Sequence, residues 1–388
     1  MPLYHSSASI MCFCSCLLAG CTTIIGRRFS ARGFWKDVRA SKATAVQYVG
    51  ETMRYILAAP PDIDPKTGED LDKKHSVRLI FGNGLRPDIW NRVKERFNIP
   101  TVLEFYAATE GTSATWNLSS NNFSSGAVGR NGLIASYILD RQTTIVETDH
   151  DTQQPWRDPK TGLCKKAEPG EPGELLLAID ANDPQAKFQG YFGNSKATEE
   201  KIIRDVLKKG DAYFRTGDMI RWDKNGFWFF SDRMGDTFRW RSENVSTSEV
   251  AEVLGAHPAI HEANVYGVMV PHHEGRAGCA AIVLEDQLKK GGESKEVIEP
   301  SAELLKDIAT YSLKNLPKYA VPVFLRLAPQ MQATGNNKQQ KHILQREGID
   351  HAKHDENSTD RLYWLQGGTY VAFHPQDFDR VNAGKVKL

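Results

Sequence analysis

Three short segments gather side chains able to handle a nucleotide. Tyr106-Ala107-Ala108-Thr109-Glu110-Gly111 brings an aromatic ring, a hydroxyl and a carboxylate within five residues. The ring can stack on a base, the hydroxyl can bond a phosphate oxygen, and the carboxylate can hold Mg²⁺. Thr109 as a plain helix N-cap accounts for the same residues about as well. The second segment is Tyr213-Phe214-Arg215-Thr216-Gly217-Asp218, followed at short range by Asp232-Arg233-Met234-Gly235-Asp236. A carboxylate at a tight turn accepts both hydroxyls of a ribose, and an Arg offers a planar fork to sugar or phosphate oxygens. Surface salt bridging is the ordinary alternative for any one of these charges; their convergence favours a site. The third is Gly82-Asn83-Gly84-Leu85-Arg86, whose small residues let a flat ring or a phosphate reach the backbone. A strand-to-helix turn is its plainer reading.

These segments act together only if folded elements carry them to one place. The hydrophobic spacing predicts helices over 34–42 and 51–58, strands over 44–49 and 77–81, a surface loop over 60–74, a helix over 87–97 with Pro87 in its first turn, and a strand over 101–105. Strands alternating with helices imply a largely parallel sheet, and such sheets place ligands beyond their strand ends. From about residue 133 short strands and turns take over, with strands over 175–179 and 227–230 and a polar break over 232–236. A small α+β unit follows: helix 247–254, strands 263–270 and 280–284, a loop at 287–300 and helix 302–316. The fold class is therefore α/β, with a mostly parallel sheet, a smaller β-rich part and a small C-terminal α+β domain.

The 388 residues allow two or three folded units, at roughly 100–200 residues each. With 49 Lys+Arg against 48 Asp+Glu, the chain carries no basic excess for phosphate backbones, so nucleic acid is excluded as a partner. Residues 1–60 hold seven Lys/Arg and two acids, all after an uncharged run at 10–25 that is shorter than the roughly 20 residues of a membrane-spanning helix. Leu18-Ala19-Gly20-Cys21 mimics a lipoprotein cleavage box, but no Lys or Arg precedes the apolar run. Cys12, Cys14, Cys16 and Cys21 lack zinc-ligand spacing and are expected to be buried packing residues in a reducing compartment. Val386-Lys387-Leu388 is similar to the Ser-Lys-Leu peroxisomal tail, but Val is larger than the usual small residue there, and a tail with no address accounts for it about as well.

The ordered set Tyr4-His5, 106–110, 213–218, 232–250 and 334–338 resembles the adenylate-forming (AMP-binding) superfamily of acyl-CoA synthetases. The run FRTGDMIRWDKNGFWFFSDRMGDTFRWRSENVSTSEV at 214–250 is similar to the fatty-acid transport protein/very-long-chain acyl-CoA synthetase branch, and Pro2–Ser6 and 267–278 agree with it. The resemblance implies the remainder of a large adenylation domain at 1–231, a hinge at 232–236 and a small mobile lid domain at 237–388. His5 would close the acyl pocket from the ATP site. Gly82, Asn83 and Gly84 would border adenine, with Tyr106 stacking on it. Thr109 would bond phosphate, Glu110 would hold Mg²⁺, Asp218 would grip the ribose, and Arg233 would support the nucleotide. Lys338 would neutralise charge on the carboxylate and α-phosphate, with Lys341 as its fallback.

The activity implied is ATP-dependent ligation of a long- or very-long-chain fatty acid, or a related carboxylate, to CoA through an acyl-adenylate, linked to fatty-acid uptake. The location implied is intracellular, at the peroxisome or endomembranes. Basic residues at 27–54 allow peripheral contact with anionic lipid, although a solvated helical face is the plainer account. Three departures qualify the match. The family's Ser/Thr/Gly-rich loop ending in Lys, which lies upstream of the Tyr-His motif, has no counterpart in the 388 residues. The chain therefore reads as N-terminally truncated and is expected to adenylate poorly or not at all. Ser242 stands where a Gly lines the CoA tunnel; Ala107 for Gly is a milder change. A catalytically inactive binder and a ligase for a specialised biosynthetic acid are the alternatives.

Overall fold

The computed structural model describes all residues except 1–2, 109, 112, 131, 133, 135–141, 150–151, 153, 242, 290–295, 332–340, 356–357 and 387. The chain divides into two compact units, Met1–Met234 and Gly235–Leu388.

The first unit is built on two sheets. Strands β1 (Ala45–Val49), β2 (Leu79–Asn83), β3 (Thr101–Ala107) and β4 (Ala114–Ser119) lie side by side in that order. The first three are parallel, and β4 returns antiparallel to β3. Helix Phe34–Ser41 leads into β1, and helices Gly50–Ala58 and Pro87–Arg96 supply the two crossovers. The last of these starts on Pro87, carries Asp88 in its first turn and Lys94 and Arg96 in its last, and buries Ile89, Trp90 and Val93. Pro at the first turn and charges matched to the helix dipole fix that register. Trp35, Met53, Ile56, Ile80, Trp90, Phe97 and Val102 close the core beneath it. The loop at 60–74 is pinned, since Arg39 donates to Leu71 O at 2.8 Å and Arg96 pairs with Asp72 at 2.9 Å.

The second sheet is antiparallel. Strands β5 (Ala127–Arg130), β6 (Thr143–Val146), β9 (Pro172–Ile179), β11 (Ala212–Trp222) and β12 (Phe227–Arg233) run in the order β5-β12-β11-β9-β6, and β10 (Ile202–Arg204) pairs with β11. Between β6 and β9, β7 (Thr148–Asp149) and β8 (Gln154–Pro155) form a small ribbon. Phe188 and Phe214 pack with ring centroids 4.7 Å apart, in a core with Leu175, Leu177 and Ile220.

In the second unit, β13 (Phe238–Trp240) and β14 (Glu243–Val245) form a hairpin. A five-stranded sheet runs β15 (Ile260–Met269), β16 (Arg276–Leu284), β17 (Phe324–Leu327), β18 (Arg361–Gln366) and β19 (Thr369–Ala372). Helices Thr247–Gly255 and Ala302–Asn315 cover it, each opened by a Ser whose side chain accepts a backbone N–H. Tyr266, Ile308, Phe324, Tyr370 and Phe373 form its core.

Three expectations need correction. The polar break expected at 232–236 starts later, because β12 continues through Arg233, whose partner in register is Asp218 on β11. The loop expected at 287–300 begins inside a short helix, Glu285–Lys289. The N-terminal cysteines do not pack in a core: Cys14 and Cys21 are exposed and Cys12 and Cys16 half-exposed. They lie on and just beyond a helical stretch, Ser7–Cys14 continued by Ser15–Leu18. That stretch turns Leu17 and Leu18 outward, 69% and 90% exposed. Trp116 and Phe123 are likewise 63% and 74% exposed. Exposed apolar side chains on this scale drive association. A polypeptide of these 388 residues is therefore expected to self-associate at micromolar concentration, and Leu17→Ser with Leu18→Ser to raise its monomer fraction, as read by light scattering. A monodisperse monomer without the substitutions would contradict this. Among the described residues, no helix is long and apolar enough to cross a membrane.

Candidate nucleotide site

Asp218 sits where β11 breaks its pairing with β9, between Arg215 and Met219. Gly217 takes φ +74°, a conformation that favours glycine. Thr216 locks this bulge, as its hydroxyl donates to Leu175 O at 2.8 Å and accepts the Asp218 N–H at 3.1 Å. Beneath it Glu174, fully buried, takes the Arg215 guanidinium at 2.8 and 3.1 Å and the Gly217 N–H at 3.3 Å. The bulge turns the Asp218 carboxylate toward β3, where the Tyr106 hydroxyl donates to Oδ2 at 2.6 Å. Burial and the adjacent Asp218 charge push the Tyr106 pKa far above its ordinary value, so the phenol remains a donor.

Arg233 approaches the same carboxylate from β12, with Nε 3.8 Å from Oδ1. Its side chain is 62% exposed, so this contact is weak and leaves the guanidinium open to a ligand. Met234 N–H bonds Gly217 O at 2.8 Å, which fastens the end of β12 to the bulge. A phenol, a carboxylate and a guanidinium from three strands thus meet at one point of the first unit. The carboxylate keeps acceptor capacity for paired hydroxyls.

The end of β2 and the turn it enters at Gly84 lie beside this point, because Gly82 pairs in register with Glu104, two residues before Tyr106. A Cβ on Gly82 would stand 2.2 Å from Tyr48 O, and Gly84 takes φ +80°. Glu104, 1% exposed, accepts from the Tyr48 hydroxyl and from the Gly84 and Leu85 N–H groups. Burial outweighs those donors and pushes its pKa to about 8. The unfolded chain releases this proton near 4.5, whereas the folded chain holds it to about 8. The group's contribution to stability is therefore full below about pH 4.5, declines as pH rises to about 8 and is level above that. Urea midpoints of the parent are expected to fall across that window more steeply than those of Glu104→Gln, which has no proton to lose. Parallel profiles would show that Glu104 is ionised throughout.

Glu110 is exposed and accepts from the Tyr191 hydroxyl at 3.0 Å. His5 belongs to the edge of β1: its Nδ1 accepts the Ser7 N–H at 3.2 Å, and Ser7 O accepts from Gln47 Nε2 at 2.7 Å. Thr109, Ser242 and Lys338 lie outside the described residues. Lys341 is engaged in the second unit, where Nζ pairs with Asp236 at 3.1 Å and donates to Thr247 Oγ1 at 2.6 Å. Leu388 N–H donates to His273 Nε2 at 3.2 Å, so the C-terminal residue packs on its own unit. Sequence reasoning missed Glu104, Glu174 and Tyr191. The first two are charged residues inside strands, which reads as exposure. Only the glycines flanking Tyr191 hinted at a shaped turn.

A profile of the AMP-binding enzyme family matches residues 1–183, and one of the AMP-binding enzyme C-terminal domain matches 249–338. The very long-chain fatty acid transport protein of Cochliobolus heterostrophus is 39% identical over 390 positions, covering 100% of this chain and 57% of that protein. Long-chain fatty acid transport protein 1 of Mus musculus is 40% identical over 391 positions, covering 100% and 55% respectively. The chain thus spans about half the length of the curated relatives it matches. The o-succinylbenzoate CoA synthetase of Bacillus subtilis, solved with its acyl-adenylate intermediate, aligns at TM-score 0.59 and 23% identity over 87% of this chain and 58% of that one. At that identity the likeness bears on the fold alone.

Proposed function

The chain belongs to the AMP-binding enzyme family, and from that premise we propose that it serves ATP-dependent activation of a long-chain fatty acid to its CoA thioester. The observation that carries the reading is the pairing of the Tyr106 hydroxyl with Asp218 on the bulge of β11, with Arg233 alongside.

A carboxylate is a poor acylating agent because its leaving group would be oxide. In the proposed reaction the fatty carboxylate attacks the α-phosphate of ATP and expels pyrophosphate. The thiolate of CoA then adds to the acyl carbon of the adenylate, and AMP leaves. Asp218 holds the ribose through both hydroxyls, Tyr106 lies against the base, and Arg233 binds sugar or phosphate oxygens. Together they fix the α-phosphate in place for in-line attack, and most of the gain comes from that positioning. Lys338 neutralises charge on the carboxylate and phosphate, Thr109 bonds a phosphate oxygen, and His5 closes the acyl pocket. Residues 232–236 are the hinge, where Gly235 takes φ +90° with open space around a would-be Cβ.

Glu110 fits Mg²⁺, as an exposed hard-oxygen ligand with one oxygen on Tyr191 and acceptor capacity to spare. When bound, the ion neutralises phosphate charge. The relatives are named fatty acid transport proteins, and coupling of the proposed reaction to fatty-acid uptake follows by mass action, since thioester formation depletes the free acid.

The test has two arms. A polypeptide of these 388 residues is expected to bind AMP by calorimetry. It is also expected to release pyrophosphate slowly with ATP and palmitate, for lack of a Lys-terminated phosphate loop. Absence of AMP binding would overturn the nucleotide reading. Release as fast as that of a full-length relative would overturn the need for that loop.

A further inference from the structure

The segment Gly82-Asn83-Gly84, where β2 ends and turns, is exposed at Gly84 and anchored inside. Gly84 itself is exposed, whereas its N–H is aimed inward at Glu104 Oε1. Leu85, 2% exposed, directs its N–H to both oxygens of the same carboxyl at 3.3 and 3.4 Å. The Tyr48 hydroxyl binds Oε2 from β1. Packing supplies the rest of the clamp: a Cβ on Gly50 would stand 1.6 Å from Gly84 O, and one on Gly82 would stand 2.2 Å from Tyr48 O. One buried carboxyl therefore gathers a donor from β1 and two consecutive backbone donors from the turn. It does so from a position on β3 two residues before Tyr106. In the nucleotide reading Tyr106 faces the base, so the strand that carries the stacking ring also carries the anchor of the turn.

We propose that Glu104 is a positioning residue for the base. Its carboxyl holds the 82–84 turn in the shape that receives adenine, and thereby sets preference for adenine over a smaller base. This rests on the nucleotide reading above and adds a residue that touches no ligand. Burying a carboxyl to fix one turn is costly, and an apolar residue would fill the space without that cost. An apolar residue would, however, strand the Gly84 and Leu85 N–H groups, and the turn would rearrange to find them partners.

The test is the ratio of AMP to CMP affinity, measured by calorimetry on the 388-residue chain. The parent is expected to prefer AMP. Glu104→Leu is expected to lower that ratio about tenfold, chiefly through AMP, because both turn N–H groups lose their acceptor. Glu104→Gln is expected to keep it, since the amide oxygen still accepts from both N–H groups and its NH₂ donates to the Tyr48 oxygen. Should the Leu protein fail to fold, Glu104→Asp serves instead: it keeps the carboxyl, withdraws the acceptor by one methylene and is expected to lower the ratio likewise. An unchanged ratio in the Leu or Asp protein, an equal loss of AMP and CMP binding, or a Gln protein as impaired as the Leu protein would overturn the role of Glu104. A parent with no preference between the bases would overturn it too, while leaving the ribose contact of Asp218 standing. A parent that binds neither nucleotide would strike the nucleotide reading itself.

Discussion

Replacing Asp218 with Ala is expected to weaken AMP binding by about a hundredfold, more than any other single side-chain deletion in the first unit. Two ribose hydroxyls donating to one carboxylate are each worth about 1.5–3 kcal/mol as hydrogen bonds to a charged group, and about 3 kcal/mol in total is two decades of affinity. The same deletion removes the acceptor of the Tyr106 hydroxyl and the anion beside Arg233, so the remaining site is also less ordered. Asp218→Asn, which keeps one acceptor oxygen, is expected to fall between the two. Tyr106→Phe is expected to cost less than Asp218→Ala, since the ring stays and only the orienting hydroxyl is lost. Calorimetry at fixed ionic strength measures all three. An Ala protein within about threefold of the parent would remove Asp218 from the site.

The second large effect concerns folding. Gly50→Ala is expected to destabilise the first unit by about 3 kcal/mol or more. Gly50 opens the helix Gly50–Ala58, where propensity alone favours Ala over Gly by about 1 kcal/mol. Sterics reverse that sign. The new Cβ would stand 1.6 Å from Gly84 O and 2.3 Å from Gly84 C, both backbone atoms that no rotamer change can move aside. Relief requires shifting either the helix start or the 82–84 turn, so AMP binding should fall with stability. Gly26→Ala is the control: no atom lies within 4 Å of its would-be Cβ and its φ is not positive. It is expected to change stability by less than about 0.5 kcal/mol. Urea denaturation of both proteins decides the matter, and equal midpoints would show that the Gly50 contact relaxes without cost.

The alternation of strand and helix between residues 34 and 107 was legible because those elements bury one clean face each; Ile89, Trp90 and Val93 recur at helical spacing. Strands β17 to β19 were not legible. Phe324–Leu327 carries Arg326 at its centre, 4% exposed, and a charged residue there hides a core strand from any hydrophobic pattern. It is tolerated because Glu347 and Asp360 both pair with it at 2.6 Å, a partnership formed only by tertiary structure. The same holds at the site. Tyr106, Asp218 and Arg233 were visible as residue types at turns, but the buried carboxyls of Glu104 and Glu174 that shape those turns were not, since their partners lie 19 to 56 residues away in one case and 41 to 43 in the other. The cysteines at 12–21 misled for the converse reason: apolar composition predicts burial, and the described structure leaves two of them exposed and two half-exposed.

The grip of Asp218 on a ribose is tested most directly by comparing AMP with 2′,3′-dideoxy-AMP on the parent chain and on Asp218→Ala. The analogue should bind the parent about a hundredfold more weakly than AMP, and the Ala protein should bind both nucleotides with nearly the same low affinity, because without the carboxylate the ribose hydroxyls have lost their charged acceptor. Equal binding of AMP and the dideoxy analogue by the parent would contradict the assignment.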